Sequence, residues 1–572
     1  MDKQLHKIRH SLSHLMASAV LQLFPDAKLA IGPVIANGFY YDFDLPRPFT
    51  PQDLPRIEKR MKKLASQNIA FKKNEKDYSE AIAFSKKDPY KLELIQELKK
   101  EKAPITYFQS GKFIDLCSGP HVATTKEIPA DAFKLTKTAG AYWRGDEKNT
   151  MLQRIYGVAF NTKKELDDYL KLQEELKKRD HRKLGKELEL FAFHEVAPGA
   201  PFWLPKGMII IKELEKYWRK IHDQNEYLET STPILNKKTL WEKSGHWQHY
   251  AEDIFRLKVD DQEYALKPMN CPGSTYIYSS KLRSYKDLPL RLSEIGRLHR
   301  NELSGALGGL FRVRQITMDD AHIYCRPDQI EQEITGVIKL IKPFYKIFNF
   351  QPSFALSTRP KKYIGEIKKW DYAEKALAQA LTKNKISYKV NEGDGAFYGP
   401  KIDIIIKDSL SRAWQLATIQ LDFQIPERFE LSYTDQHGSK QTPVIIHRAV
   451  FGSFERFMGI LIEHYAGSFP VWLSPTQVKI MTVGKAHVTY AKKLHQQFLN
   501  EGIRSELDDA NDTVGYKIRL AEKQKIPYML VIGDKEMKSK SLNIRLRGQK
   551  DIKKMTQVSF IKQVLKEIED KK

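Results

Sequence analysis

Cysteine and histidine are the side chains here best suited to metal binding or to proton exchange near neutral pH, and they are sparse: 3 cysteines and 16 histidines in 572 residues. Cys271 lies in KPMNCPGS, His322 in DDAHIY and His447 in VIIHRAV. No pair has the compact spacing of a metal finger. One soft and two borderline donors nevertheless suit Zn²⁺, and three protein ligands leave a fourth position open for substrate. Spacing alone is equally served by three buried structural residues. A second set lies near the N-terminus. His10 and His14, in RHSLSH, are four apart and share a helix face. Asp115, Cys117 and His121 stand in FIDLCSGPHV. This HxxxH and CxxxH set has the spacing of a metal site, and equally of solvated histidines beside a turn cysteine.

Arginines form the third constellation. Arg300 and Glu302, in HRNE between two strand-like runs, are two apart and on a strand would share one face. Arg312 and Arg314 follow the glycine-rich GALGGL, and Arg456 stands near the start of the helix-like GSFERFMGILIEHYAG. Guanidinium forks from separate segments match the oxygens of a triphosphate, although a lone arginine is more simply a surface ion pair. There is no GxxxxGK[ST] and no strand–GxGxxG–helix unit, so a nucleotide here needs neither a P-loop nor a Rossmann crevice.

The elements that position these residues read as an α+β multidomain chain, about four domains by length. Residues 10–23 read as a helix, 34–43 as a strand, 80–100 as a helix broken at Pro89, and 106–116 as strand again. Lys, Glu, Asp and Leu dominate 163–186, a charged amphipathic helix that predicts a linker. The richly aromatic stretch from about 190 to 470 reads as one large domain around an antiparallel sheet. From Pro475, strands (478–483, 503–507, 528–532, 542–546) alternate with helices (486–499, 514–523, 558–568), a compact α/β unit. The expected division is 1–160, 161–189, 190–472 and 473–572. The net charge of +24 favours a polyanionic partner, RNA or DNA before a membrane. Three cysteines exclude a disulfide framework and suit a reducing cytoplasm. No apolar run approaches the ~18 residues of a membrane span.

In chain order, GHW at 245–247, KPMNCPG, HRNE, FRVR, DDAHIY, FYGPKID, QLDF, IHRA and GSFERFMG closely resemble the catalytic domain of the class II aminoacyl-tRNA synthetases and, within them, the threonyl-tRNA synthetases. DHRKLGKELELF, at 180–191, is similar to the start of that core, and the resemblance runs over essentially the whole chain. It implies an antiparallel-sheet class II catalytic domain, an α+β editing domain before it and an α/β anticodon-binding domain after it. It also implies a form that begins directly at editing, without the family's small ubiquitin-like domain. Arg300 would hold the α-phosphate of ATP and the amino-acid carboxylate, Glu302 the adenine amino group and Arg312 the γ-phosphate. Arg456 would cover adenine and γ-phosphate. Cys271, His322 and His447 match the zinc ligands, one ion per subunit. Asp320, Tyr398, Lys401, Gln415 and Gln420 match positions lining the amino-acid and reaction site, and His246 one near the ribose of the terminal adenosine of tRNA. Mg²⁺ would accompany ATP, and residues 208–233 resemble the motif that builds a homodimer. Asn511, Glu536 and Arg545 match positions that read anticodon bases.

The implied reaction ligates L-threonine to tRNA(Thr) through threonyl-adenylate. Fixed arginines and Mg²⁺ stabilise charge gathering on the phosphoryl oxygens. A zinc that takes both amino group and hydroxyl separates threonine from valine, which leaves the metal position unfilled. Serine keeps the hydroxyl and lacks only a methyl, worth roughly 1–3 kcal/mol, too little for accurate translation. The remedy is hydrolysis of seryl-tRNA(Thr), for which the resemblance implicates His10, His14, Lys91, Asp115, Cys117 and His121. Water-mediated hydrolysis without a metal is the favoured reading there, a bound metal the alternative. The chain departs from the family at Ile316, where an adenine-stacking aromatic is usual. It departs also at Met318 (for glutamine), Ser274 (for histidine) and Leu416-Ala417 (for Cys-Gly). Weaker adenine stacking and altered amino-acid affinity follow as expectations. An RNA-binding paralogue without charging activity and an editing-only factor are the alternatives, and neither needs the intact arginines and zinc ligands.

Overall fold

The computed structural model describes residues 2–539 and 541–572. The chain forms two compact units, one ending at Glu175 and the other spanning Leu176–Lys572. The boundary falls inside the helix Lys163–Arg179. Asp180 then caps a second helix, His181–Glu187, accepting the Arg182 N–H at 2.8 Å, so the expected single charged helix is two. Among the described residues no helix is long and apolar enough to cross a membrane.

In the first unit the helix Lys3–Leu23 starts a full two turns earlier than its apolar stripe suggested, because Asp2 caps it by accepting the Gln4 N–H. Ile8, Leu12, Leu15, Met16, Ala19 and Val20 bury against an antiparallel sheet built from Gly38–Asp44, Met151–Ala159 and Phe133–Tyr142. The single strand expected over 34–43 is a hairpin: Val34–Ile35 turns through Ala36 and Asn37 into Gly38–Asp44. Gly38 is required there, since a Cβ would lie 2.0 Å from the Gly157 carbonyl oxygen. Residues 106–116 are likewise two strands, Thr106–Ser110 and Phe113–Leu116, turning at Gly111 with φ of 65°. In both places the turn residues outrank the continuous apolar text. The broken helix is as expected, Tyr78–Phe84 and Pro89–Lys100.

The second unit is organised by an eight-stranded sheet. Its order is Leu228–Glu229, Leu290–His299, Gln315–Cys325, Val444–Ser453, Ala413–Asp422, Lys401–Lys407, Ser353–Ser357 and Tyr388–Asn391. Every pairing is antiparallel except the outermost at each edge. Its apolar layer packs on the helices Ile330–Lys346, Ile367–Lys383 and Phe454–His464. The C-terminal part carries its own sheet, with Ser505–Asp508, Val478–Thr482 and Tyr528–Ile532 parallel, then Ser541–Leu546 and Ile552–Thr556 antiparallel. The helices Val488–Asn500, Val514–Lys523 and Gln557–Glu569 accompany it. The strand Ile552–Thr556 and the short helix Asp534–Lys538 had no expectation from sequence, and the strand is almost wholly exposed.

Candidate active site

A cavity of about 650 Å³ opens on the large sheet of the second unit, and Arg300, Glu302, Arg312, Tyr398, Lys401, Gln415, Gln420 and Arg456 all line it. Arg300 and Glu302 do not share a strand face as expected. The strand ends at His299, and both residues lie in the turn beyond it, where the Arg300 N–H donates to Arg314 O at 2.8 Å. They face the same cavity because this turn doubles back. Arg312 pairs with Glu302 at 2.8 Å. Arg456 lies in the first turn of Phe454–His464, whose cap Ser453 accepts its N–H at 3.0 Å. Burial pushes the Arg456 guanidinium below its ordinary value, and the facing Arg300 and Arg312 push it further. Three cations converging with one carboxylate between them make an anion site.

Lys401 is held by Asp403 at 2.7 Å, and Gln415 donates to the other Asp403 oxygen at 2.5 Å. Tyr398 Oη donates to Gln420 Oε1 at 2.5 Å. Asp320 does not line the cavity. It accepts a 2.8 Å hydrogen bond from Asn270 Nδ2, and burial pushes its carboxyl up. His246 does not line the cavity either: it is fully buried, 2.9 Å from Ser244 Oγ and 3.0 Å from Met269 Sδ. Burial, with nearby histidines and arginines, pushes its imidazole down to about 3, so the ring is neutral. Met269 and Phe397, which touch it, do line the cavity.

Cys271, His322 and His447 meet, with their donor atoms all within 4.8 Å of one another. The sheet register explains how: His322 and His447 are direct partners on adjacent antiparallel strands, and Cys271 is the first residue of the helix Cys271–Ser279. Burial holds the His322 ring well below its ordinary value, hence neutral, and burial with Asp320 and Asp422 nearby holds the Cys271 thiol well above its own. Asp422 lies 2.9 Å from His447 Nε2, the carboxylate backing typical of a ligating histidine. One thiol, two imidazoles and two neighbouring carboxylates fit Zn²⁺. The Tyr398 ring, 5.4 Å from that of His447, places the trio beside the Tyr398–Gln420 end of the cavity.

In the first unit His10, His14, Cys117 and His121 also meet within 4.8 Å. Cys117 Sγ is 3.2 Å from His10 Nε2 and 3.3 Å from His121 Nε2, and Ser11 Oγ reaches His121 Nδ1 at 3.1 Å. Burial lowers all three imidazoles and pushes the thiol up to about 12, so all four groups are neutral. Lys91 and Asp115 form a buried ion pair at 2.6 Å. A cavity of about 410 Å³ is lined by His10, His14, Lys91, Asp115 and Cys117. In the C-terminal part, Arg545 and Asn543 share one face of Ser541–Leu546, and Asn511 is exposed in the loop before Val514–Lys523. Glu536 is 7% exposed; its carboxylate accepts from Gly533 N–H at 3.0 Å and from Asn543 Nδ2 at 2.5 Å.

Sequence reasoning missed Asp403, Asp422 and Tyr41. Asp422 carried a usable signal, standing in QLDF two residues beyond Gln420 and so on the same strand face. Tyr41, which donates to Asp115 and accepts from Lys91 at 3.2 Å, carried none.

Residues 255–465 match the family described as "tRNA synthetase class II core domain (G, H, P, S and T)". Residues 477–567 match "Anticodon binding domain", and 106–156 match "Threonyl and Alanyl tRNA synthetase second additional domain". The threonine–tRNA ligase of Carboxydothermus hydrogenoformans is 53% identical over 566 residues, covering 99% of this chain and 89% of that protein. That of Clostridium novyi is 54% identical, covering 99% and 88%. Among solved structures, the RNA binding domain of threonyl-tRNA synthetase from Cryptosporidium parvum Iowa II is 41% identical with a TM-score of 0.66, covering 68% of this chain and 98% of that one. A convergent arginine cavity, a cysteine–histidine trio at its edge, and 53% identity over 99% of the chain lead to one assignment: this chain belongs to the threonine–tRNA ligases, class II aminoacyl-tRNA synthetases with an editing domain and an anticodon-binding domain.

Proposed function

We propose that the chain ligates L-threonine to tRNA(Thr) through a threonyl-adenylate and hydrolyses seryl-tRNA(Thr) in its first unit. The observation that carries this is the convergence of Arg300, Arg312 and Arg456 on one cavity whose other end adjoins Cys271, His322 and His447. Arg300, with Lys401 oriented by Asp403, takes the α-phosphate and the threonine carboxylate. Arg312 and Arg456 take the γ-phosphate, and Glu302 receives the adenine amino group. Mg²⁺ enters with ATP. Cys271, His322 and His447 hold one Zn²⁺, which when bound supplies a Lewis-acid position for the amino group and hydroxyl of threonine. Tyr398 and Gln420 line that end, Asp320 acts from behind it through Asn270, and Gln415 keeps Asp403 in place. His246, neutral and buried, acts from behind Met269 and Phe397, where it orders the wall facing the terminal ribose.

In the first unit four neutral polar groups surround a water, with Lys91 and Asp115 fixing charge at the wall. A neutral imidazole accepts a proton from water, and His14 Nδ1, which has no hydrogen-bond partner among the described residues, takes that role. Asn511, Glu536 and Arg545 read the anticodon, Glu536 partly by holding Asn543. Residues 1–160, 161–189, 190–472 and 473–572 serve as editing, linker, catalytic and anticodon-binding parts. Residues 208–233, where Leu228 is exposed beyond the helix Pro205–Gln224, supply the homodimer interface. The protein works in the cytoplasm. The test is ATP–pyrophosphate exchange by the purified chain. Threonine-dependent exchange is expected, with none for valine and a weak one for serine; no exchange with threonine would overturn the reading.

A further inference from the structure

His181 opens the helix His181–Glu187 and is 2% exposed. Leu310 N–H donates to its Nε2 at 3.0 Å, so the proton sits on Nδ1, which donates to Glu463 Oε1 at 2.7 Å. The same carboxylate oxygen accepts the His181 backbone N–H at 3.0 Å, and the other lies 2.6 Å from Arg412. Burial pushes the Glu463 carboxyl up, but its hydrogen bonds from His181 and Arg412 outweigh that, and it stays ionised. Asp180, His181 and Glu463 bring metal-ligand atom types together, yet both ring nitrogens of His181 are committed, so no lone pair remains for an ion.

What His181 holds is the turn 308–312. Gly308 N–H donates to Arg312 O at 3.1 Å, closing it. Gly309 has φ of +56°, and a Cβ there would lie 2.2 Å from His181 Nε2. The Phe311 ring packs on the His181 ring with centroids 4.2 Å apart, and Phe311 O accepts from Arg456 Nε at 3.1 Å. Phe311, Arg312 and Arg456 all line the cavity. The turn is therefore clamped between a histidine beneath it and a phosphate-clamping arginine beside it.

We propose that His181, fixed in one tautomer by Glu463, is a positioning residue for ATP. Its Nε2 sets the backbone at Leu310 so that Phe311 and Arg312 meet the nucleotide. This rests on the reading that the cavity takes ATP. A plain core histidine would contribute to folding alone; a positioning residue moves one substrate and not the other.

The experiment measures KM for ATP and for threonine separately, by ATP–pyrophosphate exchange with the full chain. His181→Phe keeps a ring against Phe311 and removes the acceptor. It is expected to raise KM for ATP about 10-fold, the worth of one buried hydrogen bond, with KM for threonine unchanged within about twofold. His181→Gln, whose amide oxygen can accept from Leu310, is expected to recover part of the loss. Gly309→Ala displaces the turn from the other side and is expected to show the same ATP-only signature, which keeps the test standing if His181→Phe does not fold. An unchanged KM for ATP, equal rises in both constants, or no recovery by His181→Gln would overturn the proposal. If the parent chain itself shows no exchange, the functional reading fails instead.

Discussion

The two cysteine–histidine clusters hold the same donor types at the same closeness, and their surroundings separate them. Cys271, His322 and His447 sit on two paired strands and a helix start, with Asp320 and Asp422 close enough to raise the thiol and Asp422 gripping one ring. Asp320 and Asp422 are the charges that act most on the thiol, while Arg448 and Lys267 act on His322. Cys117 satisfies His10 and His121 instead, and the buried Lys91–Asp115 pair lies on the same cavity. The 410 Å³ cavity beside them is lined by Lys91 with Asp115, Glu97 and Glu101, yet no described carboxylate hydrogen-bonds a ring of this cluster. Ligand atoms in a cluster do not settle whether it binds metal. The carboxylates behind them weigh as much.

The largest expected effect that sharpens this contrast is on activation. Cys271→Ala or His322→Ala should abolish threonine-dependent exchange, while seryl-tRNA deacylation, which we propose for the first unit, stays within about twofold. Exchange near the parent rate would break the comparison on its catalytic side. The reverse experiment is His14→Ala with Cys117→Ala. It should cut seryl-tRNA deacylation by about 10²–10⁴-fold and leave threonine charging intact, so that Ser-tRNA accumulates. Equal hydrolysis by mutant and parent would mean that the four neutral groups do not edit. Next in size is Asp422→Asn. Loss of the charge behind His447 should weaken zinc about 10–100-fold in a chelator competition, and an unchanged affinity would remove the carboxylate distinction.

The smallest effect is on stability. Burial lowers His14 and His121, so the folded first unit binds fewer protons than the unfolded chain once pH falls below about 6.5. Stability is then full above that pH and declines as it falls, by roughly 1–2 kcal/mol per ring between pH 6.5 and 5. Thermal melting of the full chain over that range should show the decline, smaller in His14→Gln. A flat profile would show these rings to be protonated in the fold.

Much of this was legible in the sequence where burial forces a pattern. Val478–Thr482 and Tyr528–Ile532, buried on both faces, read as apolar runs between helices. Ile552–Thr556 did not, because an exposed edge strand of IKKMT has no alternation to see. The hairpins at residues 34–44 and 106–116 were hidden because tight turns interrupt apolar text without changing its composition. At the site, the spacing of Cys271, His322 and His447 says nothing by itself, since strand register rather than sequence separation brings them together. Their meeting was foreseeable only through the ordered family motifs. The same-face argument for Arg300 and Glu302 failed because the strand stops one residue early, and His181 looked like a link between domains until its two hydrogen bonds were seen.

The most direct test of the contrast is the zinc content of the purified chain, its Cys271→Ala variant and its Cys117→Ala variant, measured by elemental analysis after dialysis against a weak chelator. One zinc per chain is expected in the parent and in Cys117→Ala, and none in Cys271→Ala. Two ions per chain, or loss of the metal from Cys117→Ala with retention in Cys271→Ala, would contradict it.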